Sequence, residues 1–396
     1  MKKILYISID GLLDPLGRSQ ILPYIDGSSK ENLFFFICTI ENSRNMSKIN
    51  ELNQIIKKNK NIKWNYFFFK KKRGKINRLI ELFMLYYLAI KIFIFNKIDI
   101  IHSRSYLPMF LCILIKLFSK VKLIFDTRGA WFDERIDGGM LKSQGFDLVV
   151  FKIMKIFEKY FFKFSDHIIF LTKKGFEETK RNFIKNKNIS IIACAADYNL
   201  FKIISKEEKI KIKQNLKLSN KFIITYSGSF GSWYNFNYII DFFINYLKKN
   251  INSRLIILTQ SDIPREYYKL SMDIKKKIIL ISSRRDFIPI IVGISDLTLC
   301  FIKPTFSKKF SSPTKVGESL GCGIPVVLNE GIGDLDDDII KMGLGFKLNN
   351  NRFIDDDDLK KIDNLEETKL RIRKNSNEKY NLESAVNKFI QIYKFI

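Results

Sequence analysis

Ser311-Ser312-Pro313-Thr314-Lys315-Val316-Gly317-Glu318-Ser319-Leu320-Gly321-Cys322-Gly323-Ile324-Pro325-Val326-Val327 is the stretch whose reading decides the fold. Thr314 is of a type that starts helices, and the free N–H groups of a helix start attract an anion. Lys315 adds a cation beside that position. Glu318 follows about one turn in, where a carboxylate can accept two hydrogen bonds from a ribose diol. Gly321 and Gly323 stop the helix, and Ile324 to Leu328 forms the next strand. An ordinary capped helix running into a strand explains the glycines and the proline, but not the whole run.

The same alternation extends outward through the chain. Apolar runs at Ile4–Ile9, Leu33–Ile40, Trp64–Phe69, Ile98–Ile101, Lys122–Phe125 and His167–Leu171 predict strands. Between them sit helical patterns such as Met46, Ile49, Leu52, Ile55 and Ile56, which share one face. Near-continuous apolar strands with helical crossovers predict a parallel sheet covered on both sides. The pattern pauses around Ala193 to Glu208. It restarts with Phe222–Tyr226, Leu255–Thr259, Lys277–Ile281, Leu297–Ile302 and Ile324–Leu328. The expectation is an α/β chain of two Rossmann-like domains facing across a cleft, residues 1–198 and 199–378. A C-terminal helix within 379–396 is free to cross back to the first domain. Ligands of such sheets sit at the carboxyl ends of strands, so the loops there carry the chemistry.

At 396 residues two domains are the natural division. The 68 Lys and Arg against 41 Asp and Glu leave a net charge of +27, which suits a polyanionic partner: nucleic acid, anionic lipid or a phosphorylated substrate. Part of the lysine count fits an AT-rich coding bias, but the shortage of acids does not. No nucleic-acid module is present and the charge is spread out, so nucleic acid is not the expected partner. Cys38, Cys112, Cys194, Cys300 and Cys322 show no metal spacing, so buried thiols in a reducing compartment are expected. Met1-Lys2-Lys3 resembles the start of a signal peptide, yet the apolar run ends at Asp10 with no cleavage site, and a first buried strand fits better. Leu79–Phe95 and Leu107–Phe118 fall short of the ~20 apolar residues of a bilayer span. The first is expected as a buried helix. The preceding Lys70-Lys71-Lys72-Arg73-Gly74-Lys75 suits contact with an anionic membrane surface.

The Glu318-Ser319-Leu320-Gly321-Cys322-Gly323-Ile324-Pro325-Val326-Val327 run resembles the donor-site signature of glycosyltransferase family 4, whose fold is the two-domain GT-B fold. The family's second Glu, eight positions earlier, is replaced here by Phe310. The Ser-Pro-Thr-Lys version is similar to a bacterial subgroup, in which Ser312, Thr314 and Lys315 would handle phosphates or sugar instead. Tyr226-Ser227-Gly228-Ser229-Phe230-Gly231-Ser232-Trp233-Tyr234 is similar to the family's Gly-rich diphosphate turn, with Gly228 and Ser229 admitting close approach. It lacks the usual Gly-Arg and Lys, and Lys303, Arg285 or Lys315 would supply the missing charge. A plain structural turn accounts for it equally well. Ala196-Asp197-Tyr198-Asn199-Leu200-Phe201, Arg285-Asp286-Phe287-Ile288-Pro289 and Asn329-Glu330-Gly331 resemble further family segments in the expected order.

In the first half, Asp10 to Gln20 resembles the subgroup's loop after the first strand, with Gly17, Arg18 and Gln20 bordering the cleft. His102 and Arg104 occupy positions where relatives carry catalytic histidines, although a lone strand-end His is more often structural. Asp126-Thr127-Arg128-Gly129-Ala130-Trp131 resembles the subgroup's Asp-x-Arg-Gly-x-Trp segment. Arg128 suits a phosphate or acidic sugar, and Asp126, Asp133 and Glu134 are candidate acids or bases. For Asp133 and Glu134 a surface salt-bridge cluster is a credible reading, and it is a weaker one for Asp126 and Arg128 beside a strand end.

The resemblance implies transfer of a sugar from a nucleotide-sugar donor to a saccharide or lipid-linked acceptor, in bacterial surface polysaccharide synthesis. It also implies retention of configuration, no cofactor and no metal. The N-terminal half would take the acceptor and the C-terminal half the nucleotide, on the cytoplasmic face of the cell membrane. A sugar-nucleotide epimerase or hydrolase of the same fold is the nearest alternative. A basic nucleic-acid-binding protein is the more distant one.

Overall fold

The computed structural model describes residues 1–69, 75–183, 188–231, 233–234, 236–282, 287–348 and 365–396. Seven parallel strands form the first sheet: β1 (Lys2–Ile7), β2 (Leu33–Asn42), β3 (Ile62–Phe69), β4 (Ile100–Arg104), β5 (Lys122–Asp126), β6 (His167–Phe170) and β7 (Asn188–Ile191). Their order is β3-β2-β1-β4-β5-β6-β7. Six more form the second: β8 (Phe222–Ser227), β9 (Ser253–Leu258), β10 (Ile278–Ile281), β11 (Leu297–Cys300), β12 (Val326–Asn329) and β13 (Gly345–Leu348), in the order β10-β9-β8-β11-β12-β13. The fold is α/β with two parallel sheets, as the apolar runs predict. Strands β7 and β13 escape sequence reading because each is a four-residue edge strand in which apolar residues only alternate, as Asn188-Ile189-Ser190-Ile191 and Gly345-Phe346-Lys347-Leu348, whereas the equally short edge strand β10 is all apolar. Such a strand needs no continuous apolar run.

Chain contacts divide the molecule into Met1–Ala193 with Leu382–Ile396, and Cys194–Asn381. In the first unit the chain steps from β1 through β2 to β3 in one direction, then from β4 through β5 to β6 in the other. Right-handed crossovers therefore put the helices Lys75–Phe95, Leu107–Leu117 and Gly145–Phe164 together on one side of the sheet. Leu85 and Ala89, Met109 and Cys112, and Phe161 and Phe162 close the core there against Leu5, Ile7, Ile101, Leu123 and Phe125.

The helix Leu382–Phe395 packs on Leu22–Ser29, where Gly27 leaves room for Val386. Lys2 Nζ donates to the carbonyls of Tyr393 (3.1 Å) and Lys394 (3.0 Å), closing the helix's carboxyl end with a cation. All five cysteines are buried and none is in a disulfide. The Leu79–Phe95 run is helical but only half of the expected burial holds. Leu85, Ala89 and Ile92 face the core, while Phe83, Tyr87, Ile94 and Phe95 are exposed. No helix among the described residues is long and apolar enough to cross a membrane.

In the second unit, Asp296 precedes β11 and accepts from Lys209 Nζ (2.7 Å), Lys213 Nζ (3.2 Å) and the Ile223 amide (2.7 Å). One buried carboxylate thereby registers β8 against β11. The Arg373 guanidinium binds the carbonyls of Tyr198 (2.7 Å), Phe201 (2.8 Å) and Gly321, so the 196–201 segment is fixed to the end of the Thr314–Gly321 helix.

Both sheets reverse strand order once, at β1/β4 and at β8/β11. The crevice outside such a reversal is where α/β sheets bind ligands. Gly17 controls the first. A Cβ there would lie 2.0 Å from the Gly11 carbonyl oxygen and 2.6 Å from Leu12 Cα, both backbone atoms. Gly17→Ala is expected to destabilise the first unit by roughly 1–3 kcal/mol, read as a lower urea midpoint at unchanged slope. An unchanged midpoint would mean the turn is slack.

Candidate active site

Strand pairing assembles the first crevice. Tyr6 lies opposite His102 and Arg104 opposite Asp126 in the β1/β4 and β4/β5 registers. His102 and Arg104 are two residues apart and so share a face of the sheet. The His102 ring sits 4.5 Å from the Tyr6 ring centroid and is fully buried. Its Nδ1 meets the Tyr393 hydroxyl at 2.8 Å, and its Nε2 stands 3.6 Å from Asp126 Oδ2, too far for a hydrogen bond.

Asp126 is the centre of this arrangement. Both carboxylate oxygens are buried without a hydrogen-bond partner. Around Oδ2 stand His102 Nε2, Arg104 Nη1 at 3.7 Å and Arg128 Nη1 at 3.8 Å. Burial pushes the Asp126 pKa up, but Arg128, His102 and Arg104 together hold it below the ordinary carboxylate value, so it stays ionised. Burial also dominates at His102 and lowers its pKa despite the pull of Asp126. The imidazole is therefore neutral near pH 7. The result is an ionised carboxylate with unfilled lone pairs, lining a small crevice with Arg104, Arg128, Gln20 and Tyr24.

The backbone is bent to produce this. Ser105 and Arg128 both adopt left-handed φ, +68° and +54°, and Gly129 follows at +128°. A non-glycine residue held there costs on the order of 1–3 kcal/mol and is commonest at functional sites. The bend brings Arg128 Nη2 to 3.3 Å from Gln20 Oε1, while Arg104 Nε reaches Asp10 at 3.4 Å. Arg18 does not join them. It forms a 2.6 Å ion pair with the exposed Glu51, because it lies two residues back from Gln20 on the short Pro15–Gln20 helix. Asp133 pairs with Lys155 (2.9 Å), which also holds Glu158, itself the acceptor of the Tyr106 hydroxyl. Tyr6, Phe389 and Tyr393 complete the crevice and were not found from sequence. Tyr6 stands in the first strand's buried face, and the other two arrive from nearly 300 residues away, Tyr393 being 291 positions from His102.

The second unit builds a different centre. The helix Thr314–Gly321 starts one residue earlier than a Thr314 cap would place it. Pro313 is the N-cap and no side chain caps the end. Thr314 is the first helical residue, and Ser312 Oγ is occupied by the Cys194 amide at 3.1 Å. Ser312 thus anchors the loop ahead of the helix, and Lys315 follows on its first turn.

Lys315 Nζ is buried with no hydrogen-bond partner. It lies between the rings of Tyr226 (4.3 Å) and Tyr234 (4.0 Å), directly beneath Gly228. A Cβ on Gly228, whose φ is +141°, would come 2.7 Å from that nitrogen. The glycine-rich turn therefore supplies a gap and Lys315 fills it with a cation. Burial lowers the Lys315 pKa to about 8, only partly opposed by Cys300 and Glu318. Glu318 follows on the same helix, half-buried.

Gly228 and Ser229 sit at the end of β8. The Ser229 carbonyl is held by the Tyr226 hydroxyl at 2.9 Å and its side chain is exposed. Lys303 is exposed in the neighbouring loop, tied by its amide to the Trp233 carbonyl (2.9 Å). The buried Lys308, unremarked in the sequence, lies 3.6 Å over the Trp233 ring. Phe310 is core, packed with Phe306. Asn329 ties β12 to Ile302 by both amide atoms, at 2.9 and 2.8 Å. Arg285, Ser232 and the Lys70–Lys72 cluster lie outside the described residues. No cluster of metal-binding side chains occurs among the described residues.

No family model matches the sequence, and no characterised protein matches it by sequence. Solved structures do match it by shape. A crystal structure of Anabaena HepE in complex with UDP and glucose superposes with TM-score 0.70 at 14% identity, covering 100% of both chains. Sucrose-phosphate synthase from Thermosynechococcus elongatus gives 0.70 at 11% identity, covering 100% of this chain and 99% of that one. A glycosyltransferase from Rickettsia africae gives 0.67 at 15%, covering 100% and 98%. These likenesses establish the class of fold: this chain has the two-domain α/β GT-B fold.

The chain holds only two histidines, so both can be followed by NMR. His102 is expected to titrate below its ordinary 6.5 and His167 at about 4. Tyr393→Phe should shift the His102 nitrogens and leave those of His167 alone. An imidazole at residue 102 still protonated at pH 7 would contradict the buried arrangement.

Lys315 gives a second test. A folded pKa of about 8 against the ordinary 10.5 means the folded state carries a penalty that is fully present below pH 8 and is relieved as pH rises towards 10.5. Lys315→Met is expected to stabilise the protein at pH 7 by on the order of 2 kcal/mol, with the gain fading as pH rises from about 8 and gone by 10.5. A destabilised Lys315→Met protein at pH 7 would show that the two rings hold the ammonium better than water does.

Proposed function

We propose that the chain is a metal-independent glycosyltransferase. It would move a sugar, with retention of configuration, from a nucleotide-sugar donor to a saccharide or lipid-linked acceptor in bacterial surface polysaccharide synthesis. The observation that carries this reading is the unpartnered Lys315 ammonium beneath Gly228, on a helix whose amino end no side chain caps. A diphosphate would supply what that place lacks: negative charge for the ammonium, at a helix start with no side-chain cap. Charge that develops on a departing nucleotide would be stabilised by the same groups without reorganisation. Glu318, farther along the same helix, would accept from a ribose diol.

The first unit would take the acceptor. Asp126 is ionised and its lone pairs are unfilled, so it can accept a proton from a hydroxyl brought within hydrogen-bonding reach. Arg104 and Arg128 would orient that acceptor and hold the carboxylate's charge. His102, neutral and tied to Tyr393, would fix the carboxylate's position rather than carry the proton itself.

HepE is described in complex with UDP and glucose, which makes UDP the first nucleotide to try. Calorimetry with UDP, GDP, ADP and CMP is expected to show one preferred nucleotide. Glu318→Ala should weaken its binding by roughly 1.5–3 kcal/mol. Binding of no nucleotide by folded protein would defeat the transferase reading. Donor consumed without any acceptor would mark an epimerase or hydrolase instead.

A further inference from the structure

The helices Lys75–Phe95, Leu107–Leu117 and Gly145–Phe164 are apolar on two opposite sides. Their inner side closes the core of the first unit. Their outer side is exposed: Phe83 by 69%, Phe118, just past the second helix, by 89% and Phe146 by 80%, with Leu79, Tyr87 and Ile94 on the first helix and Ile153 and Ile156 on the third. The spacing is helical on this side too, since Phe146, Val149, Ile153, Ile156 and Tyr160 form one stripe. The three helices touch in sequence. The Tyr86 hydroxyl on the first donates to the Leu107 carbonyl at 2.6 Å, and Phe110 on the second packs against Phe157 and Phe161 on the third. The exposed rings of Phe83, Tyr87, Phe95, Phe118 and Phe146 alone present on the order of 700 Å². That exceeds the few hundred Å² a monomer ordinarily leaves in water.

Charge decides what covers this face. Among the described residues of the three helices, every exposed charge is positive: Arg78, Lys91, Lys152, Lys159 and Lys163. The acids, Glu81, Asp147 and Glu158, are half-buried or buried. A second copy docking through the same face would set cations against cations. A bilayer of anionic lipids offers the complement on both counts, an apolar interior for the rings and headgroup charge for the lysines.

We infer that this three-helix face is a membrane-docking surface for anionic lipid, seated in the interface without spanning it. It rests on the first unit alone and not on the transferase reading. The helices start where β3, β4 and the β5 segment end, so their amino ends lie at the same sheet edge as Asp126 and Arg128. Docking would bring that crevice to the level of the headgroups.

The test is sedimentation with phosphatidylcholine vesicles, with and without phosphatidylglycerol. Wild type is expected to bind the anionic vesicles and to bind less as salt rises. Phe83→Glu with Phe146→Glu should reduce that binding by about tenfold or more, and Lys152→Glu with Lys159→Glu should reduce it while leaving every ring in place. Equal binding by wild type and the ring variant would overturn the inference. So would wild type that ignores both vesicles, whether it stays monomeric or forms a dimer that the ring variant breaks. Nucleotide calorimetry on the same variants separates this result from the fate of the donor site, since neither pair of substitutions touches the second unit.

Discussion

The constraint on which everything else depends is the hand of the crossover between parallel strands. A strand, a helix and the next parallel strand close in one sense only, so a sheet that grows first one way and then the other must leave a gap in its helical cover where it turns. This chain turns twice, beside β1 and beside β8. Each turn opens a crevice at carboxyl strand ends, and each is lined by residues whose placement follows from strand register. Arg104 meets Asp126 because β4 and β5 pair with those residues opposite one another. The same hand collects three helices on one side of the first sheet and so assembles a broad apolar face from segments that no single helix could supply.

The two crevices hold opposite kinds of electrostatic tension. In the first, a carboxylate is buried among two guanidiniums and an imidazole, close enough to be stabilised as an anion but too far for direct hydrogen bonds. In the second, an ammonium is enclosed by two phenol rings with no oxygen in reach. Both groups have been taken from water without full compensation, which a stable fold tolerates at few places. A negative partner would relieve the second and a hydroxyl donor the first.

Strands in the middle of the sheets were legible because burial on both faces demands uninterrupted apolar runs, as in Leu33 to Ile40. The edge strands β7 and β13 have only two apolar residues each, in alternation, and were missed, while the edge strand β10 is an unbroken apolar run and was found. Glu318, Lys315, Gly228, Asp126 and Arg128 stood out because each follows or precedes a strand end within a recognisable run. Arg18 pairs with Glu51 while Gln20 lines the crevice, since a helix of six residues turns neighbouring side chains in different directions and sequence does not say which way each points. Ser312 carries a donor-site resemblance but is spent on a loop amide. The buried reading of Leu79 to Phe95 failed for a related reason: an all-apolar helix gives no period by which to tell its inner side from its outer one. Tyr393 had no local signal at all, because its partner is near the other end of the chain.

That last contact has a bearing on how the protein is made. The first unit is discontinuous, with the whole of Cys194–Asn381 inserted before its final helix. During synthesis, residues 1–193 emerge with their sheet complete but with Tyr24, His102 and Lys2 lacking Phe389, Tyr393 and the helix end that Lys2 closes. At ordinary rates of elongation that gap lasts roughly 10–40 s. Throughout it the side of Leu22–Ser29 that packs on the last helix stays open to water. Premature termination anywhere in the second unit would leave that face without its cover, so the first unit needs the very last helix of the chain to bury what residues 1–193 expose.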